Sequence, residues 1–69
     1  MSIEQLKSLA GAKPFRAFTL ETTAGSRITI DQVGHVQFPP PDFEVIILFA
    51  ADKLMHFITI DDINTYAVA

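Results

Sequence analysis

The stretch Phe18-Thr-Leu-Glu-Thr-Thr-Ala-Gly-Ser-Arg-Ile-Thr-Ile30 predicts a β-hairpin whose register is set by its own residues. Apolar and polar residues alternate on both sides of Thr23-Ala24-Gly25, which is typical of strands buried on one face. A three-residue loop places Gly25 where a type I turn followed by a bulge needs a positive φ. A two-residue loop would set Leu20 against Thr29 and mix the two faces, so the longer loop is favoured. The predicted pairs are Phe18–Ile30, Thr19–Thr29, Leu20–Ile28 and Glu21–Arg27.

A second hairpin is predicted from residues 43–49 and 54–60. The first of these strands is almost continuously apolar and rich in β-branched residues, as expected for a strand covered on both faces. A four-residue loop over residues 50–53 gives the predicted pairs Phe49–Leu54, Leu48–Met55, Ile47–His56, Ile46–Phe57 and Val45–Ile58. Both faces are apolar but one small domain has one interior, and the sequence leaves open which face points inward. The other face needs cover from the N-terminal helix or from another chain.

The N-terminal segment predicts a helix over about residues 2–11. Ser2 suits the N-cap and Gln5 stands in capping-box position, while Ile3, Leu6 and Leu9 recur at helical spacing. Gly11 suits a left-handed residue that ends the helix. The segment is too short and too poor in basic residues for a helix that lies on a membrane surface, so we interpret it as a packing helix.

The tetrapeptide Ile-Thr-Ile-Asp occurs twice, at residues 28–31 and 58–61. Each copy comes at the predicted end of a second hairpin strand, and each Asp suits the cap of the following turn. We interpret the two copies as the same corner built twice, without tandem duplication. Together with short strands at about 35–38 and 64–68, and a first strand at about 15–22, they complete a single domain over residues 1–69.

Length and composition restrict the class of protein. The chain has 69 residues, no cysteine, 49% hydrophobic residues and a formal net charge of -3. A domain this small is marginal alone, and so much apolar surface favours self-association. The absence of cysteine fits the cytoplasm, and no apolar run is long enough for a signal peptide or a membrane span. The acidic balance argues against nucleic acid as a partner.

The predicted element order is helix, hairpin, short strand, hairpin, one helical turn and final strand. This order resembles the Sm-like barrel, if the segments 26–30 and 35–38 form one long bent strand. The expected fold is therefore mainly β (α+β): an N-terminal helix followed by a small, strongly bent, five-stranded antiparallel barrel. The resemblance also implies rings that assemble through edge strands. The loops read Gln32-Val-Gly-His-Val-Gln-Phe38 and Ala50-Ala-Asp-Lys53, and neither carries the RNA-binding residues of Sm proteins.

A narrower resemblance lies in Lys13-Pro-Phe-Arg-Ala-Phe-Thr-Leu20 and in the closing Ile58-Thr-Ile-Asp-Asp-Ile-Asn-Thr-Tyr-Ala-Val68. Both are similar to short bacterial proteins of unknown function that open with a helix and a strand of the pattern K/R-P-F-x-x-F. That resemblance implies no activity.

No pattern predicts an enzyme, a cofactor or a metal site. His35 and His56 each follow an aspartate by four residues, a spacing that spans roughly 13 Å on a strand. The adjacent Asp61 and Asp62 are typical of strand-end caps rather than of an acid–base pair. The serines lack a nucleophile motif, and the glycines form no phosphate-binding loop.

Two surface features have alternative interpretations. The prolines in residues 38–43 form either a rigid connector, which we favour, or a polyproline segment that binds an aromatic groove. Arg16 and Arg27 form either a binding patch or part of a solvated strand face in which Glu21 neutralises Arg27.

These observations predict a non-enzymatic, self-assembling interaction module that forms homo-oligomers. They leave open a further, unidentified protein partner. The alternative is an Sm-like RNA-binding ring that uses non-standard residues. The predicted association residues are Ile46, Leu48, Met55 and Phe57.

The charge balance predicts weak binding to uridine- or adenine-rich RNA at physiological salt, because phosphate contacts need clustered Lys and Arg. Fluorescence anisotropy with short labelled RNAs measures this directly. Submicromolar binding that weakens steeply with added salt would favour the RNA-binding ring instead.

Overall fold

The structure is a computed structural model that describes residues 1–39 and 45–69, where the chain is mainly β with one short N-terminal helix. The helix α1 spans Ile3–Ala10, and a single 3-10 turn spans Ile60–Asp62. The strands are β1 (Phe18–Thr22), β2 (Arg27–Ile30), β3 (Val36–Gln37), β4 (Val45–Phe49), β5 (Met55–Thr59) and β6 (Ile63–Val68). The predicted strand residues 43 and 44, and residues 40–43 of the proline connector, lie outside the described ranges.

The described strands form two three-stranded antiparallel sheets, in the orders β2-β1-β6 and β3-β4-β5. The mainly β class is confirmed, but the prediction of a closed five-stranded barrel is wrong. Residues 31–35 leave the ladder through a turn in which Gly34 has φ +83°, so β2 and β3 do not form one continuous strand. Within the described ranges β5 and β6 do not pair, so the described strands do not close into a barrel.

The first hairpin has the predicted register, with all four predicted pairs present. Gly25 has φ +86°, and its N–H donates to the Thr22 carbonyl over 2.9 Å. On the polar face the Thr19 and Thr29 hydroxyls lie 2.9 Å apart. The alternation of apolar and polar residues therefore predicted the register of this hairpin correctly.

The second hairpin differs from the prediction by one residue. Ala50 donates its N–H to the Leu54 carbonyl, so the loop contains three residues, Ala51-Asp52-Lys53, rather than four. Lys53 has φ +69°, and its N–H donates to the Ala50 carbonyl over 2.9 Å. The observed pairs are Val45–Thr59, Ile46–Ile58, Ile47–Phe57, Leu48–His56 and Phe49–Met55. Because both strands are apolar on both faces, their pattern did not fix the register.

The two hairpin loops therefore have the same hydrogen-bond pattern. In each, the residue before the loop accepts from the third loop residue, which has a positive φ. Glycine fills that position in the first loop and lysine in the second. The second loop also joins the two sheets, because Ala51 donates its N–H to the Thr29 carbonyl over 2.8 Å.

The helix begins as predicted, with the Ser2 and Gln5 side chains and backbones bonded reciprocally in a capping box. Its end differs from the prediction, because Gly11 has φ -102° and is not left-handed. The Gly11 N–H donates to the Lys7 carbonyl over 2.9 Å, so the last turn closes without a left-handed residue.

One apolar core lies between the sheets and receives the helix through Leu6, which is completely buried. The helix adds Leu9 and Ala10 at the margin of this core. The buried apolar residues are Leu6, Phe18, Leu20, Ile28, Ile30, Val36, Ile46, Leu48, Ala50 and Ile63.

The two Ile-Thr-Ile-Asp segments do not form the same corner. Ile30 ends β2 and is completely buried, whereas Ile60 lies in the 3-10 turn and is only partly buried. In the second corner Asp62, rather than Asp61, accepts a hydrogen bond from a backbone N–H, that of Thr59. What the two hairpins share is the hydrogen-bond pattern of their loops, although the loop sequences Thr23-Ala24-Gly25 and Ala51-Asp52-Lys53 differ.

Opposite substitutions in the two loops should change stability in opposite directions. Gly25→Ala should lower the free energy of unfolding by about 1 kcal/mol, because alanine is strained at a positive φ although its Cβ meets nothing within 4 Å. Lys53→Gly should raise it by about 0.5 to 1 kcal/mol, because relief of left-handed strain exceeds the added entropy of the unfolded chain.

Urea unfolding at one fixed protein concentration measures both changes. Ala51→Gly is the matched control, since it adds glycine to the same loop at a residue that has no positive φ. Equal effects of Lys53→Gly and Ala51→Gly would contradict the assigned loop conformation.

Candidate functional site

The outward side of β4 and β5 carries a group of apolar side chains, which we call the exposed apolar face. Cross-strand pairing places Ile47 beside Phe57 and Phe49 beside Met55. Phe57 is 63% exposed, Met55 54% and Val45 45%, while Ile47 and Phe49 are partly buried. The exposed apolar face therefore consists of Val45, Ile47, Phe49, Met55 and Phe57.

The free edge of β5 borders this face. Among the described residues, β5 pairs only with β4. Its sequence, Met-His-Phe-Ile-Thr, contains no Asp, Glu, Lys, Arg or Pro. Edge strands of soluble proteins are usually protected by charge, proline or a bulge. The part of the chain that the structure describes gives β5 none of these protections.

The edge strands of the two sheets are β2, β3, β5 and β6, and β6 pairs only with β1 in the described ranges. Its sequence, Ile-Asn-Thr-Tyr-Ala-Val, also contains no charged residue. Tyr66 and Val68 lie opposite Leu20 and Phe18, so they face the core side of their sheet. They are nevertheless 41% and 45% exposed, and no described strand lies on the far side of β6.

The four predicted association residues do not share one face. Ile46 and Leu48 are completely buried in the core, whereas Met55 and Phe57 point outward. The shift of one residue in the β4–β5 register separates them, because Leu48 lies opposite His56 rather than Met55. Met55 and Phe57 remain surface candidates, and Ile46 and Leu48 are core residues.

Three residues of the exposed apolar face were not predicted as site residues: Val45, Ile47 and Phe49. The alternation of β4 had already placed them together on one face, but had not shown whether that face points inward. The register of β4 and β5, and with it the inward face, depends on a three-residue loop in which Lys53 is left-handed. That conformation is uncommon for lysine, so the residue type gave no indication of it.

The two histidines have different surroundings. His35 lies across from Phe49, with its Nδ1 atom 3.2 Å from the Phe49 carbonyl oxygen and its ring centroid 6.0 Å from that of Phe49. His56 faces the core side of β5 opposite Leu48, and its Nε2 atom is buried without a hydrogen-bond partner. Neither histidine forms a hydrogen bond with the aspartate four residues before it.

Other charged groups have structural contacts. Arg27 Nε lies 3.3 Å from Glu21 Oε2, in agreement with the solvated strand face, and Arg16 donates to the Ala69 carbonyl. The Asp62 carbonyl accepts the Thr23 N–H over 2.8 Å and thereby ties the 3-10 turn to the first hairpin loop. Within residues 1–39 and 45–69, no three His, Asp or Glu side chains come together as metal ligands do.

Comparison with known proteins gives no assignment: no family model, curated protein or solved structure matches the chain. No helix in the described ranges has the length and apolar character needed to cross a membrane.

Proposed function

We propose that this protein is a non-enzymatic interaction module that assembles with further copies of itself through the β5 side of the domain. The observation that supports this most strongly is the exposed apolar face, which lies directly beside an unpaired and uncharged strand edge. A strand that is apolar, uncharged and free of proline is an aggregation hazard if nothing covers it.

The N-terminal helix does not supply this cover. Leu6 lies in the core, and Met1, Leu9 and Ala10 pack against the same core. The apolar stripe of α1 is therefore used on the inner side of the sheets, while Phe57 and Met55 remain more than half exposed.

The choice of face on β5 also favours an external partner. The strand turns His56 toward the core and leaves the larger apolar side chain of Phe57 in water. Burial of Phe57 would stabilise an isolated chain by about 1.5 to 3 kcal/mol, whereas burial of an imidazole without a hydrogen bond is unfavourable. The stability of a single chain does not account for this arrangement, but a contact that covers Phe57 does.

A second copy of the chain is the occupant that fits best. β6 is another free and uncharged edge, and its length of six residues matches the five of β5. Pairing of β5 in one copy with β6 in the next would satisfy both edges and cover Met55 and Phe57 from the side. Such a contact is heterologous, so it builds a ring if the rotation closes.

We propose an Sm-like arrangement for this assembly. Two features of the chain support it: a helix precedes the strands, and a single 3-10 turn separates the last two strands. The edges left open between β5 and β6 are where the resemblance places contacts between subunits.

Phe57→Lys should dissociate the assembly, because it places a charge on the apolar side chain that the neighbouring copy is proposed to cover beside the paired edge. Light scattering at micromolar concentration should give at least a dimer for the unmodified chain and a folded monomer for this variant. Val33→Lys is the matched control, since Val33 is 68% exposed but lies in the turn after β2. It should keep the mass of the unmodified chain.

A soluble monomer for the unmodified chain at these concentrations would contradict the proposal. Equal loss of mass in Phe57→Lys and Val33→Lys would contradict the assignment to the exposed apolar face.

A further inference from the structure

The core opens to solvent in a cleft between the loop of the first hairpin and β5, which we call the mouth cleft. Its volume is about 340 Å³. Ile28 and Ile58 supply apolar walls, and Thr22, His56 and Asp62 supply polar groups. A concave site with apolar walls and a few convergent polar groups is typical of a binding site.

His56 Nε2 is the feature of this cleft that a single chain leaves unexplained. It is the only buried side-chain nitrogen or oxygen without a hydrogen-bond partner in the described part of the chain. Buried polar groups in folded proteins nearly always have a partner, and an orphaned one suggests a missing contact. His56 lines the mouth cleft while its Nε2 atom lies beneath the cleft surface, so a group that enters the cleft would supply that contact once the imidazole turns toward it.

Tyr66 has the chemistry that the mouth cleft requires. A tyrosine combines an apolar ring with a hydroxyl that both donates and accepts a hydrogen bond. Tyr66 is the only tyrosine of the chain and lies on β6, the edge that would meet β5 of a neighbouring copy. It faces the core side of its sheet, as His56 faces the core side of β5.

We propose that Tyr66 of one copy inserts into the mouth cleft of the next copy and that its hydroxyl forms a hydrogen bond with His56 Nε2. This inference rests on the proposed self-association and identifies the residue that fixes its register. Ile28 and Ile58, which form the apolar walls of the cleft, would pack against the ring, and Asp62 in the same cleft would offer a second acceptor. The contact joins two different surfaces, so each copy offers one tyrosine and one cleft.

Tyrosine fluorescence tests this contact without a label. The chain contains one tyrosine and no tryptophan, so its intrinsic tyrosine emission comes from Tyr66 alone. Quenching by acrylamide should weaken several-fold between a dilute, monomeric sample and a concentrated, assembled one. Tyr66→Phe should raise the dissociation constant roughly threefold to tenfold, as expected for loss of one hydrogen bond.

A blocked cleft should prevent insertion while Tyr66 is retained. Ala24 is exposed in the first hairpin loop and lines the mouth cleft, so Ala24→Arg places a long side chain there beside Asp62. This variant should leave Tyr66 fully quenchable at every concentration. Val33→Arg, which adds the same charge away from the cleft, should behave as the unmodified chain. Circular dichroism checks that both variants are folded.

Mixing two defective chains tests the heterologous geometry. Ala24→Arg lacks an open cleft but keeps Tyr66, and Tyr66→Ser keeps the cleft but lacks the tyrosine. Each alone should be monomeric, and an equimolar mixture should form a dimer and nothing larger.

The outcomes separate this inference from the proposed function. If the unmodified chain is monomeric at all concentrations, self-association and the Tyr66 contact are both overturned. If it assembles while Tyr66 stays equally quenchable and Ala24→Arg assembles normally, only the Tyr66 contact is overturned. A mixture that gives no dimer also overturns it.

Discussion

Strand β4 is apolar on both faces, and the domain has only one interior. Ile46 and Leu48 occupy that interior completely, so Val45, Ile47 and Phe49 must point the other way. The helix adds Leu6, Leu9 and Ala10 to the same interior. What remains outside is a continuous apolar surface on β4 and β5, and the proposed assembly follows from the need to cover it.

The loop between β4 and β5 decides which residues of β5 join that surface. A three-residue loop sets His56 opposite Leu48, and the predicted four-residue loop would have set Met55 there. The left-handed conformation of Lys53 therefore determines that Phe57 is exposed and that His56 Nε2 is buried without a partner. One backbone conformation thus accounts for both features on which the two proposals rest.

The accuracy of the sequence predictions depended on how strongly each segment constrained its own structure. Each pair of the first hairpin was predicted correctly, because Leu20 and Ile28 alternate with polar residues whose burial would be unfavourable. The helix start was predicted because Ser2 and Gln5 form a local hydrogen-bonded pair. The second hairpin lacks such polar residues, so the predicted register was wrong by one residue. Because of that error, the predicted association residues lie on two opposite faces: Ile46 and Leu48 in the core, and Met55 and Phe57 on the surface. The closed barrel was also wrong, because residue pattern alone did not show that the chain breaks between β2 and β3.

Hydrogen exchange along β5 tests the central claim, that a second copy covers this strand, most directly. The amides of β5 that do not bond to β4 face the free edge in a single chain and should exchange quickly in a dilute sample. In a concentrated sample their exchange should slow together with that of β6, while the turn over residues 31–34, which contains the control residue Val33, should be much less affected. Rapid exchange of β5 and β6 at every concentration would contradict the claim that a second copy pairs with these edges.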